Sequence, residues 1–270
     1  MMLRVLPRLF VVVRKGDWRK ILSALWFLVY KQCFEVIFWF SVRFHPRSRL
    51  SSDVSIAVQT KHPIAFQSPD HLIPVGTRYD NSSHKKFLLH AEGLIGESSR
   101  RKRFSFLDLG CAGGQLVKDF LDIGWVSVGL EGSDYSLKHG RANWAQLAGK
   151  HLFTCDITKP FKVLVNGKKH RFHLITAWEV LEHIRLSDLP VLFKNIMRHL
   201  GKGGYFIAST TSLPDVHNGV DLHQTKMANR QWRIWMKKNI PGLVSVDDGL
   251  AFYGRVRYNS EQSYLVYQKR

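Results

Sequence analysis

The residues able to do chemistry in this chain sit, one after another, at the ends of apolar runs. Asp108 lies near the end of Phe104–Leu109, Glu131 follows Val126–Leu130, Asp156 follows Leu152–Cys155, and Glu179, Glu182 and His183 follow Phe172–Ala177. Between the first two carboxylates lies Gly110-Cys111-Ala112-Gly113-Gly114. Glycines at such a turn allow close backbone approach to a ligand and positive φ. The helix N-terminus expected after them, from about Gln115, offers N–H groups to a polar or anionic partner. An acidic residue about twenty positions beyond a glycine turn, at the end of a second strand, suits a carboxylate that holds a ribose.

The second chemical group is histidine. His183 follows a strand end, and His217 and His223 lie in Thr210–Thr225, a polar stretch that also holds Asp215 and Asp221. Each can accept a proton from a hydroxyl, and each has an equally simple alternative as a local hydrogen-bonding group. His217, Asp221 and His223 match no standard metal-ligand spacing, so no metal is expected. Cys33, Cys111 and Cys155 are odd in number and form no C-x-x-C pair, which argues against a disulfide framework and for a reducing, cytoplasmic setting.

The elements that must position these groups alternate. Strands are expected at Phe104–Leu109, Val126–Leu130, Leu152–Cys155, Phe172–Ala177 and Tyr205–Ser209, with helices over about 115–123, 135–147 and 186–200 between them. Such alternation predicts an α/β fold, a Rossmann-like, doubly wound and mostly parallel seven-stranded sheet, in which ligands bind at the carboxyl ends of the strands. Every polar cluster named above falls at such an end. A helix over about 229–239 and strands at 243–246, 251–257 and 263–268 complete the domain. Upstream, a helix is expected over about 84–95. Residues 68–82 are dense in turn formers and read either as a lid over the cleft or as a plain connector.

Residues 1–50 differ in character and form a separate helical extension to a domain at 51–270. The apolar Ile21–Tyr30 and Val36–Val42 are flanked by arginines and lysines, while Lys31 and Glu35 share one helical face. This pattern fits an amphipathic helix at an anionic membrane surface, peripheral to the inner face, or a helix packed on the domain or a second subunit. A true span wants about 20 apolar residues without central charges. The formal charge of +19 implies an anionic partner of some kind. No nucleic-acid-binding signature accompanies it, so no specific nucleic acid is expected.

Taken together, Leu107–Gly114, Gly129-Leu-Glu131, Cys155-Asp156-Ile157, Glu179-Val-Leu-Glu182-His183 and Gly201-Lys-Gly-Gly204 resemble, in order, the motifs of class I S-adenosylmethionine-dependent methyltransferases. The Val-Leu-Glu-His element resembles that of ubiquinone-type O-methyltransferases. Ser68-Pro-Asp-His, Pro74-x-Gly-Thr, Asp80-Asn81-Ser and Glu131-Gly132-Ser-Asp-Tyr135 look like a bacterial methyltransferase group of unassigned substrate. The resemblance implies S-adenosylmethionine as cofactor. It implies that Asp108 reaches the ammonium, that Gly110, Cys111, Ala112 and Gly113 pass beside the methionine portion, and that Glu131, with Gly132 beside it, accepts the ribose hydroxyls. Asp156 and Ile157 would meet the adenine, and Ala177 and Trp178 would flank the methionyl portion. The middle glycine of the usual pattern is Ala112 here, which alters the turn. His223 and His183 are the candidate bases, and Asp80, Asn81, Glu179 and His217 the candidate acceptor contacts. The acceptor implied is a small molecule, sugar or lipid-linked glycan taking a methyl group on oxygen. A nucleic-acid acceptor and a non-catalytic S-adenosylmethionine-binding protein are the alternatives. The Asn-Pro-Pro-Tyr-type signature of base methyltransferases is replaced by Ala177-Trp-Glu-Val.

Overall fold

Two apolar five- and six-residue segments, Ser105–Leu109 (β2) and Val126–Glu131 (β3), are buried along their whole length, as strands covered on both faces must be. They pair in parallel, with Asp108 opposite Gly129. In this computed structural model the described residues are 36, 54–83, 85–96, 104–246 and 262–270. The expectations for residues 1–50, including the membrane-surface helix, and the strand expected at 251–257 lie outside them, apart from the isolated Val36. Among the described residues no helix is long and apolar enough to cross a membrane.

The remaining strands, in chain order, are β1 (Ile56–Thr60), β4 (Leu152–Thr154), β5 (Phe161–Val165), β6 (Lys168–Lys169), β7 (Phe172–Trp178), β8 (Leu200–Thr211), β9 (Val216–His217), β10 (Val220–Asp221), β11 (Leu243–Ser245) and β12 (Gln262–Lys269). The central sheet has seven strands in the order β11-β12-β8-β7-β2-β3-β4. β8, β7, β2, β3 and β4 are mutually parallel, and β12 runs antiparallel to both β8 and β11. The chain moves outward from β2 to β4 on one side and then from β7 to β11 on the other. The crevice between β2 and β7 is therefore the switch point, where such sheets bind ligands.

The helices are α1 (Pro69–Leu72), α2 (Val75–Tyr79), α3 (Lys85–Gly96), α4 (Gln115–Asp122), α5 (Tyr135–Lys138), α6 (Trp144–Leu147), α7 (Leu189–His199) and α8 (Asn229–Asn239). α4 buries Leu116, Val117, Phe120 and Leu121, the stripe its spacing predicts. Phe120 stacks on Phe106 of β2, with ring centroids 4.1 Å apart.

Three features depart from the expectations. The helix expected over 135–147 is broken into α5 and α6, because Gly140 and Ala142 take positive φ of 53° and 51°. β8 begins at Leu200 rather than at Tyr205 and so takes in Gly201–Gly204. A separate antiparallel sheet, β1-β5-β6, joins Ile56–Thr60 to a hairpin turning at Asn166-Gly167, with φ of 51° and 74°. Asn-Gly is a strong hairpin signal.

Candidate active site

The glycine turn after β2 is built to press against its neighbours. Gly110 has φ +73°, and a Cβ there would lie 2.4 Å from Val180 Cγ2. Gly114, at φ +81°, is the N-cap of α4. Ala112, in the place of the middle glycine, keeps a positive φ of 45°. Its backbone is pinned from both sides: the N–H donates to Glu131 Oε2 at 2.8 Å and the carbonyl accepts from Trp144 Nε1 at 2.7 Å. Those two bonds hold an alanine where glycine is usual.

The amides of this turn do not wait for a ligand. Those of Gly110 and Cys111 donate to the Leu130 carbonyl, that of Gly113 to the Asp80 carbonyl and that of Gly114 to the Cys111 carbonyl. The turn Gly110–Gly114 thus offers no open N–H group of its own, and the expectation of exposed N–H groups concerns the helix that starts at Gln115. Beside the turn stands an unforeseen side chain. Arg141 donates through Nη2 to the Asp80 carbonyl, while its Nη1 is buried without a partner beside Gly113.

Glu131 is 8 % exposed. Its Oε1 accepts from the Ser133 amide at 3.1 Å and from Thr77 Oγ1 at 3.3 Å, and its Oε2 from Ala112. Burial raises its pKa, and those amide donors oppose the shift. Asp108 is buried and accepts from Thr176 Oγ1 at 2.6 Å. Burial pushes its pKa up to about 7, the fields of Glu131 and Asp80 add to this, and the Thr176 hydroxyl works against it. Burial also lifts the Cys111 thiol well above its ordinary value, which makes it inert.

The raised Asp108 pKa has a consequence for stability whose sign can be measured. The folded-state value lies above the unfolded one, so this carboxyl contributes stability below about pH 4 that is lost as the pH rises through about 7. The gap between the two values corresponds to at most about 4 kcal/mol. Asp108→Asn should therefore melt well above the wild type at pH 8 in the ligand-free protein, with the gain vanishing near pH 4. Melting curves from pH 4 to 8 check this; a difference independent of pH would contradict it.

A cleft of about 830 Å³ opens at the switch point. Gly110, Ala112, Glu131, Gly132, Asp156, Ile157, Trp178, Glu179, His183, His223 and Asp80 all line it. Asp108 and Ala177 lie behind its wall, 4 % and 0 % exposed. Gly113 is covered by Asn81 and Arg141. His217 is not brought into the cleft; it pairs with Asp215 at 2.9 Å in the β9–β10 hairpin. Residues 68–82, left open between lid and connector, form one wall through α1 and α2, and Thr77 contributes the bond to Glu131. Seven carboxylates line the cleft against one lysine and one arginine, in a chain of net charge +19. The cleft is thus an acidic recess in a basic protein.

At the β7 end, Glu179 takes a positive φ of 52° and leads into a 3₁₀ turn, Leu181–His183. Asp70 Oδ1 of α1 lies 3.0 Å from His183 Nδ1. Burial disfavours the charged form of His183, but Asp70, with Glu182 and Asp215, outweighs it and raises the pKa. The 211–225 segment is tied to this turn. Gln224 and Thr225 donate their amides to the Glu182 carbonyl at 2.7 and 2.9 Å, and Thr225 Oγ1 donates to the Ile184 carbonyl. His223 consequently stands across from His183, with ring centroids 4.6 Å apart and its Nδ1 bonded to the Leu213 carbonyl. Asp221 pairs with Lys226 and accepts the His223 and Asp215 amides.

A family model described as a methyltransferase domain matches residues 79–257. No curated protein matches the chain in sequence. Among solved structures, an S-adenosylmethionine-dependent methyltransferase from Clostridium acetobutylicum ATCC 824 is similar at 17 % identity and a TM-score of 0.45, covering 74 % of this chain and 95 % of that one. The glycopeptide N-methyltransferase MtfA with S-adenosyl-L-homocysteine is similar at 16 % identity and a TM-score of 0.47, covering 74 % and 95 %. Magnesium protoporphyrin IX methyltransferase from Synechocystis PCC 6803 is similar at 10 % identity and a TM-score of 0.46, covering 76 % and 96 %. With about two thirds of its length matched by the family model and the mostly parallel seven-stranded sheet beneath it, the chain belongs to the class I S-adenosylmethionine-dependent methyltransferases.

Proposed function

We propose that this enzyme methylates a hydroxyl of a small molecule or glycan, with the cofactor held along the β2–β3 side of the cleft and the acceptor toward His183 and His223. The observation that carries this is the meeting of the two histidines, 40 residues apart in sequence, at the end of the cleft that also holds Glu131. S-adenosylmethionine supplies a methyl group on a sulfonium carbon. The residues present fit that cofactor: the recess is rich in carboxylates where a ligand brings a sulfonium and an ammonium, and the orphan Arg141 Nη1 is a donor suited to a carboxylate.

Glu131 would accept the ribose hydroxyls. It already holds three of the roughly four hydrogen bonds a carboxylate accepts, so a bidentate grip displaces the long Thr77 bond. Asp108 would answer the ammonium through the wall. Asp156, whose Oδ1 is held by the Thr158 amide at 2.9 Å, keeps Oδ2 for the adenine amino group. Gly110, Gly132, Ile157 and Trp178 shape the remaining wall. An acidic recess also disfavours a polyanionic acceptor, which speaks against nucleic acid.

His223 would take the proton of the acceptor hydroxyl. Its Nδ1 donates to the Leu213 carbonyl, which fixes the tautomer and leaves Nε2 as the accepting nitrogen. His223→Ala should cut turnover by roughly 10²- to 10⁴-fold while leaving S-adenosylmethionine affinity within a factor of about 2. Turnover and calorimetry on the same preparation separate the two; unchanged turnover removes His223 from this role.

A further inference from the structure

Behind the two histidines lies a group that the methyl-transfer reading leaves without a task. Glu182 is 0 % exposed, and neither carboxylate oxygen makes a well-formed hydrogen bond to the protein. A buried, unpaired carboxylate is costly wherever it ionises. Side chains of this kind persist where something outside the protein completes them.

We propose that Glu182, His183 and His223 bind one divalent first-row transition-metal ion at the acceptor end of the cleft. One ligand atom from each residue lies within 4.8 Å of the others. An ion with bonds of about 2.1 Å would draw them to separations of roughly 3–3.5 Å, a closure within reach of side-chain rotation. Two imidazoles and one carboxylate form a mixed nitrogen–oxygen set suited to zinc, iron or cobalt rather than to magnesium or calcium.

Two further features match what surrounds a ligating histidine. Such a residue donates its second ring nitrogen to a carboxylate or carbonyl, which fixes the tautomer and aims the first. Asp70 stands 3.0 Å from His183 Nδ1, and the Leu213 carbonyl holds His223 Nδ1. Both Nε2 atoms are thereby left for one centre. The paired amides of Gln224 and Thr225 on the Glu182 carbonyl hold the two segments in register before any ion arrives. The spacing Glu182-His183…His223 is not a sequence signature of a metal site, since the third ligand comes from a loop 40 residues away. This set also differs from the His217, Asp221 and His223 group visible in the sequence, of which only His223 takes part.

Three protein ligands leave a coordination position open toward the cleft, where His183 and His223 form part of the wall. This extension rests on the O-methylation reading: an acceptor hydroxyl occupying that position loses its proton to solvent at a much lower pH than in water, as metal-bound water does. His183 and His223 then act as ligands, and the deprotonation assigned above to His223 is carried out by the centre it helps to hold.

The test is direct metal binding by the full chain, freed of metal with a chelator and titrated with Co²⁺. One equivalent should give visible ligand-field absorption and a raised melting temperature, with Zn²⁺ competing and Mg²⁺ failing to compete. Glu182→Gln and His223→Gln should each weaken Co²⁺ binding at least about 10-fold with S-adenosylmethionine affinity retained, which also shows that the variants are folded. Should Glu182→Gln not fold, His223→Gln decides alone. Absence of saturable Co²⁺ binding, or binding unchanged in the variants, overturns the site. If the ion fails while His223→Ala still abolishes turnover, the metal is refuted and the base reading stands.

Discussion

Glu131→Ala is expected to weaken S-adenosylmethionine binding by roughly 100-fold or more. Two ribose hydroxyls donated to a buried carboxylate are charge-assisted bonds worth about 1.5–3 kcal/mol each, and every 1.4 kcal/mol is tenfold in affinity. The loss does not end with the ribose. The amides of Ala112 and Ser133 and the Thr77 hydroxyl all donate to this carboxylate. Its removal unties the glycine turn and the α2 wall together. Glu131→Gln keeps the shape and one accepting oxygen but not the charge, and should fall between, at about 10-fold. Isothermal calorimetry on the three proteins gives the series directly. An alanine variant binding within about 3-fold of wild type would contradict the placement of the ribose.

The second large effect concerns Gly110. Gly110→Ala should lower stability by about 2–4 kcal/mol: about 1 kcal/mol from placing a Cβ at φ +73°, and the rest from overpacking. The new methyl would lie 2.4 Å from Val180 Cγ2, on the segment that carries Glu179 and the 3₁₀ turn. For a domain of this size that is roughly 5–15 °C in melting temperature. Gly149→Ala supplies the control, since Gly149 shares the positive φ, at +71°, but has nothing within 4 Å of its would-be Cβ. It should lose only the backbone part. Equal melting of the two variants would refute the steric account. The same contact ties the glycine turn to the segment after β7, so Gly110→Ala should disturb both sides of the cleft.

How much of this was legible in the chain follows from how local each signal is. β2, β3, β7 and α4 were readable because burial of a whole strand or one helical face leaves an unbroken apolar run or a 3.6-residue stripe. The break between α5 and α6 was not, because Ala142 at positive φ carries no compositional mark. Asn166-Gly167 and Asn218-Gly219 are hairpin signals that went unread, and the β5–β6 and β9–β10 hairpins turn on them. Glu131, Asp156 and His183 could be placed at strand ends from the sequence, and the cleft has them there. Arg141 and Thr77 could not, since each reaches the site by a tertiary contact that leaves no spacing behind. Glu182 could be placed after the β7 strand from the sequence, but not its partners. Only the approach of His223 across 40 residues shows it to be one corner of a buried triangle.

The glycine turn spends its amides on Leu130, Glu131, Asp80 and Cys111. Peptide N–H groups are common to every sequence and only proline removes one, whereas a carboxylate or guanidinium group is lost in almost any substitution. A fold that grips its cofactor through backbone alone has an affinity fixed by its geometry. Here most of the turn's amides are committed to the fold itself, while Glu131 both pins the turn and lines the cleft. On the function proposed above, affinity can be engineered at Asp156 with the strand–turn–helix left intact, whereas a change at Glu131 alters the turn as well.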